Sequence, residues 1–179
     1  MLKFKRIVTG LKEDNKAGVI FNDISSNVLA VDGWAGCYIT DLWATGETPV
    51  DNSGSVDLGA RKIVHDPVRN GSIFRIVEIP PESSGEINTS EAFDSIGSGN
   101  TPSDSIRDLH PSMHFTNSID YLYVAEGKMN MIMEDGEKVL ISKGDCIVQR
   151  GTYHGWQNVY DKPCVLIGAL IDASPIYKK

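Results

Sequence analysis

Two stretches decide the reading: SIDYLYVAEG at residues 118–127 and GDCIVQRGTYHGWQN at residues 144–158, with sixteen residues between them. Side chains alternate between the faces of a strand, so Asp120, Leu122 and Val124 share one side of the first stretch. In the second, a Gly-Asp turn opens a short apolar run, a glycine turn follows at Gly151, and His154 and Trp156 then share a face. Asp135-Gly136 joins two apolar runs between these stretches, a strong hairpin signal. Ser142–Asp145 is a second turn, and Asp161–Pro163 a third, with proline setting φ. Working outward, the same period-two pattern predicts strands near Phe4–Thr9, Ala17–Asp23, Cys37–Ala44, Ile73–Ile79, Asp120–Glu126, Lys128–Glu134, Glu137–Ile141, Asp145–Gln149, Gly155–Asn158 and Cys164–Ile171. Helical periodicity is weak throughout. Many short strands at regular spacing point to an all-β sandwich or barrel.

The chain has 179 residues, of which 17 are Lys or Arg and 24 Asp or Glu, a net charge of −7. That is long enough for a real core without disulfides. An acidic chain with no basic cluster beyond Lys3, Lys5 and Arg6 argues against nucleic acid as a partner. No run of about 18 apolar residues suggests a membrane span, and the N-terminus lacks the apolar centre of a secretory signal. Cys37, Cys146 and Cys164 are scattered and odd in number, which fits a reducing, cytoplasmic setting. Cys146 and Cys164 lie in apolar runs and read as buried thiols. From Pro80 to Ser112 the chain turns rich in Ser, Gly, Asn, Thr and Glu. Residues 81–112 are therefore expected to form a long irregular loop, either covering the mouth of a barrel or moving freely. It would join an N-terminal β extension, residues 1–80, to a core formed by residues 107–179.

The two stretches resemble the motifs of the cupin superfamily. The first cupin motif ends in an acidic residue, six residues and a glycine, which Asp120 and Gly127 match. In the second, Gly144, Asp145, Gly151, His154 and Asn158 match, and Gln149 stands where proline is usual. Two departures are visible. The customary His-X-His is reduced to His114, between Met113 and Phe115, and Asp120 replaces the usual glutamate. The chain is more similar to a subgroup of small cupins with a long N-terminal β extension and a Met-His-(five residues)-Asp-Tyr first motif. The resemblance implies a cupin-type antiparallel β-barrel, or double-stranded jelly roll. It also implies strand exchange between protomers, and open strand edges independently invite pairing, so a homodimer is expected.

A carboxylate on a core-facing register is costly unless paired or bound to metal. A barrel bringing both motifs together would place His114, Asp120 and His154 around one interior. Two imidazoles and a carboxylate leave open positions on Fe²⁺, Mn²⁺, Zn²⁺ or Ni²⁺. The same residues also read without metal: a histidine on an apolar face is usually a satisfied core residue, and Asp120 could bond to Thr116, Asn117 or Ser118. Arg75, Gln149 and Trp156 are candidate pocket residues. A guanidinium in an apolar strand needs a partner: Glu78, Asp120, a substrate carboxylate or, by preference, a surface salt bridge. Trp156 could stack on a ligand or pack. His110 is a candidate replacement ligand in a loop, expected to be exposed, and His65 falls outside the motif block altogether. Met129, Met131 and Met133 read as packing residues.

Three functions follow from these residues. One is a metal-dependent enzyme acting on a small organic molecule by oxidation, isomerisation or decarboxylation. Another is a non-catalytic binding or sensing module for such a molecule. The third is a structural dimer with a degenerate site.

Overall fold

A computed structural model describes residues 1–98 and 102–177. Its strands are β1 (Lys5–Leu11), β2 (Ala17–Ile24), β3 (Val28–Ala30), β4 (Tyr38–Thr45), β5 (Ser72–Ile79), β6 (Ser118–Glu126), β7 (Lys128–Met133), β8 (Lys138–Ser142), β9 (Cys146–Gln149), β10 (His154–Gln157) and β11 (Cys164–Asp172). Every strand expected from alternation is present within a few residues, and the three-residue β3 is an addition. The large sheet runs β3-β4-β5-β11-β6-β9, a smaller one β10-β7-β8, and β1 and β2 form a separate hairpin. The all-β, jelly-roll expectation holds, although the strands do not close into one hydrogen-bonded barrel.

The two larger sheets meet across one apolar core. Ile39, Val124 and Leu166 come from the large sheet, and Met129, Ile141 and Trp156 from the small one. The N-terminal strands β3–β5 belong to the large sheet itself, because β5 pairs with β11 from Ser72 to Ile79. The hairpin is tied to this body by Arg6, which donates to Asp23, Asp57 and the Leu42 carbonyl.

Alternation along β6 explains where the first motif points. Ser118, Asp120 and Val124 are buried while Tyr121 and Tyr123 are exposed. Most other motif residues build turns. Gly127 has φ +74°, and a Cβ there would collide with the Pro163 carbonyl. Asp145 caps its turn by accepting from the Ser142 N–H at 2.8 Å. Asn158 is buried and donates to Ile79 O and Lys162 O. That leaves Asp120 and His154 as the motif side chains free to do chemistry.

The stretch read as an irregular loop contains a 3-10 turn at Glu82–Ser84 and two short helices, α1 (Thr89–Ser95) and α2 (Asp104–Arg107). Asn88 caps α1 by accepting from the Glu91 N–H, a local device that weak periodicity hides. Residues 99–101 of this stretch, and 178–179 at the end, lie outside the described residues.

Candidate functional site

Between the two sheets lies a cavity of about 100 Å³. Its walls are largely apolar; α1 supplies Ala92 and Phe93 to them, and Ile96 follows at its C-terminal end. His114 and His154 both line it. They form an isolated antiparallel bridge, with each N–H donating to the other's carbonyl at 2.9 Å. Directly opposed residues of such a pair put their side chains on the same face. The two rings accordingly lie 4.3 Å apart between centroids.

Both imidazoles are fixed in the same way. His114 Nδ1 donates to Ser112 O at 2.8 Å, and His154 Nδ1 donates to Thr152 O at 2.9 Å. A carbonyl only accepts, so each Nδ1 carries its proton and, in the neutral ring, each Nε2 keeps a bare lone pair. Neither Nε2 has a hydrogen-bond partner among the described residues. Burial, and the neighbouring imidazoles, hold the His114 pKa well below the usual histidine value. Burial likewise brings His154 down to about 4. Both rings are therefore neutral at pH 7.

Asp120 lines the same cavity. Its Oδ1 accepts from Ser118 Oγ at 2.6 Å, one of the local partners expected for it. Burial pushes its carboxyl up to about 6.

Arg75 overturns the surface expectation. It is 4% exposed and grips the fully buried Asp41 at 2.7 and 3.0 Å. Neither Glu78 nor Asp120 is its ion-pair partner. Its remaining bonds go to Val64 O and His65 O, so the pair clamps the irregular segment before β5 against the cavity. That clamp explains a residue the sequence reading passed over. His65 lines the cavity, with its ring 5.0 Å from that of His114. Its Nδ1 faces Asp66 Oδ1 at 2.9 Å and Ser98 Oγ at 3.1 Å.

Trp156 lines the cavity beside His154, ring centroids 5.0 Å apart. Gln149 does not: its amide donates to Thr152 O and Oγ1 and braces the turn before β10. His110 is buried rather than exposed, held by Ser112 Oγ and Glu82 Oε1, and is no part of the cavity wall. Cys146 is exposed, contrary to expectation, because alternation on β9 turns it outward. Cys37 does line the cavity, but burial pushes its thiol up to about 12, so it is no nucleophile at neutral pH. Met129 and Met131 pack in the core as read.

The donor set fits a metal only in part. His114 and His154 are in the tautomer a ligating imidazole needs, with the far nitrogen anchored on a carbonyl. Among the described residues, however, no group of three or more His, Cys, Asp or Glu side chains is arranged to hold a metal ion. The predicted triad is thus a converged pair of imidazoles with a carboxyl elsewhere on the same wall.

Residues 108–170 match the cupin domain family model. The chain is 27% identical over 176 residues to the cupin-domain-containing oxidoreductase virC of Hypocrea virens, covering 96% of this chain and 77% of that one. It is 29% identical over 120 residues to the cupin-domain-containing oxidoreductase srdD of Neurospora crassa, covering 66% and 48% respectively. Among solved structures, the cupin domain of Schizosaccharomyces pombe Cnp3 aligns with 96% of this chain and 89% of its own, at 11% identity and a TM-score of 0.47. The motif glycines, the converging histidines and the matched family model agree: residues 108–170 of this chain are a cupin domain.

Proposed function

We propose that this cupin is an enzyme that holds a small organic molecule in the cavity and moves a proton on it, an isomerisation-type reaction. His114 and His154 act as bases and Asp120 as proton carrier. One observation carries this reading: two imidazoles with bare Nε2 atoms share an apolar cavity, and Asp120, whose carboxyl burial pushes up to about 6, lines the same cavity. The Nδ1 anchors fix each ring so that the proton arrives at a defined atom. Asp120, ionised above pH 6 and neutral below it, returns the proton to the molecule or to water.

Oxidation is the second reading, favoured by the oxidoreductase names of the two relatives. It would need a bound metal, with Fe, Mn, Zn and Ni as candidates and His114, His154 and Asp120 as ligands after rearrangement of the carboxylate. A homodimer in a cytoplasmic setting completes the proposal. Exposed edge strands and unpaired thiols support it.

The test has two parts. A thermal-shift screen of the full chain against small alcohols, aldehydes and ketones identifies ligands. Each hit is then incubated in D₂O and followed by proton NMR. Deuterium entering one carbon position with the wild type, and not with His154→Phe, supports proton transfer. Binding without exchange leaves a binding or sensing module, and no binding at all leaves a structural dimer. Stoichiometric transition metal in the purified protein, lost in His154→Ala, would transfer the case to oxidation.

A further inference from the structure

The walls also restrict the kind of molecule that fits, and this step rests on reading the cavity as the ligand site. Arg75 is the one cationic side chain among the described residues that line it. Its charge is already matched by Asp41 through two hydrogen bonds, and its other contacts are backbone carbonyls. A carboxylate or phosphate entering the cavity would find no free cation and would meet Asp120. An unpaired anion in an apolar, water-poor space is strongly disfavoured.

The imidazoles complete the picture. His114 and His154 spend their ring N–H groups on the Ser112 and Thr152 carbonyls. What they offer is therefore a pair of acceptors. An acceptor pair selects a ligand that brings donors. The remaining wall, with Trp34, Val77, Ile79, Phe93 and Leu166 among its residues, selects an apolar skeleton.

We propose that the cavity takes an uncharged, mainly apolar molecule bearing a hydroxyl or N–H group. That group donates to Nε2 of His114 or His154, and the corresponding carboxylate is rejected. Donor-bearing and donor-lacking analogues should differ strongly, because a buried acceptor left unpaired is costly.

Three probes of one shape separate the possibilities: 2-naphthol, 2-methylnaphthalene and 2-naphthoate, measured by equilibrium dialysis against the full chain at pH 7.5. The expected order is naphthol tightest, by about tenfold over methylnaphthalene, with naphthoate weaker than both. In His114→Phe and His154→Phe the naphthol advantage should shrink while methylnaphthalene binding persists. A merely structural loss would weaken both ligands together, and circular dichroism checks that each variant folds. Naphthoate binding as tightly as naphthol, or methylnaphthalene equalling naphthol, would overturn the donor requirement and leave the cavity reading standing. Failure of all three to bind would overturn the cavity reading and the donor requirement with it.

Discussion

Asp120→Asn should stabilise this protein above neutral pH and not below pH 4. The Asp120 carboxyl ionises near 3.8 in an unfolded chain and near 6 when buried in the fold. Between those values the native state holds more protons than the unfolded one, so stability falls as pH rises. The gap is about 2 pH units, and at about 1.4 kcal/mol per unit the ionised carboxylate costs about 3 kcal/mol by pH 7.5. Asparagine keeps an oxygen for Ser118 Oγ and carries no charge. For a chain of this size the gain is worth about 6–12 °C in melting temperature. His154 runs the other way. Its native pKa near 4 lies below the ordinary 6.5, so its contribution is complete above pH 6.5 and is lost as pH falls toward 4. In the wild type these two slopes oppose each other between pH 4 and 6, and the variant leaves the histidine slope uncovered. Thermal melts of both proteins from pH 4 to 8 are the assay. Curves separated by a constant offset would refute the reasoning, since they would mean that Asp120 titrates as an exposed carboxylate.

Arg75→Met leaves the buried Asp41 with only the longer Arg61 contact at 3.6 Å, and should cost up to about 3–5 kcal/mol in urea unfolding, with Asp41→Leu added to it recovering part of the loss. A loss under about 1 kcal/mol would show the pair to be loosely held. Gly127→Ala forces a side chain into a left-handed position against Pro163 O, and should cost about 1–3 kcal/mol; an unchanged melt would place that turn elsewhere. Of the three thiols, Cys146 alone should react quickly with an aromatic disulfide reagent in the native protein, and all three after unfolding. Rapid labelling of Cys37 or Cys164 would contradict their burial. Sedimentation at micromolar concentration should give twice the 19.6 kDa chain mass, and a monomer would remove the homodimer from the proposal.

Strand positions were legible where one face is wet and the other dry, as along β6, and elsewhere from short apolar runs bounded by turns. The same rule placed Asp120 inward before Leu122 and Val124. It failed for Cys146, whose edge strand is apolar on both faces, so that alternation carries no sign. His154 was legible because motif glycines at Gly144 and Gly151 fix the turns around it. His114 could be named, but its direct pairing with His154 depends on a bridge between residues forty apart, which no local pattern encodes. His65 was illegible for a related reason: it stands in a segment without periodicity, held by a guanidinium from a later strand. The one trace of it was Arg75 itself, a charge in an apolar strand that demanded a partner. Sequence favoured the surface for that partner, because buried Asp41 looks no different from any strand aspartate until β4 and β5 are paired. The helix α1 was hidden by its length, since seven residues are too few to display a period.

The central claim is that two neutral imidazoles meet in the cavity with bare Nε2 atoms. Long-range ¹H–¹⁵N correlation of histidine-labelled protein at pH 7 tests it most directly, with the signals assigned through His114→Phe and His154→Phe. The account predicts that both rings carry the proton on Nδ1, with both Nε2 resonances in the unprotonated range and shifting when a donor-bearing ligand is added. Protonated Nε2 on either ring, or an imidazolium at that pH, would contradict it.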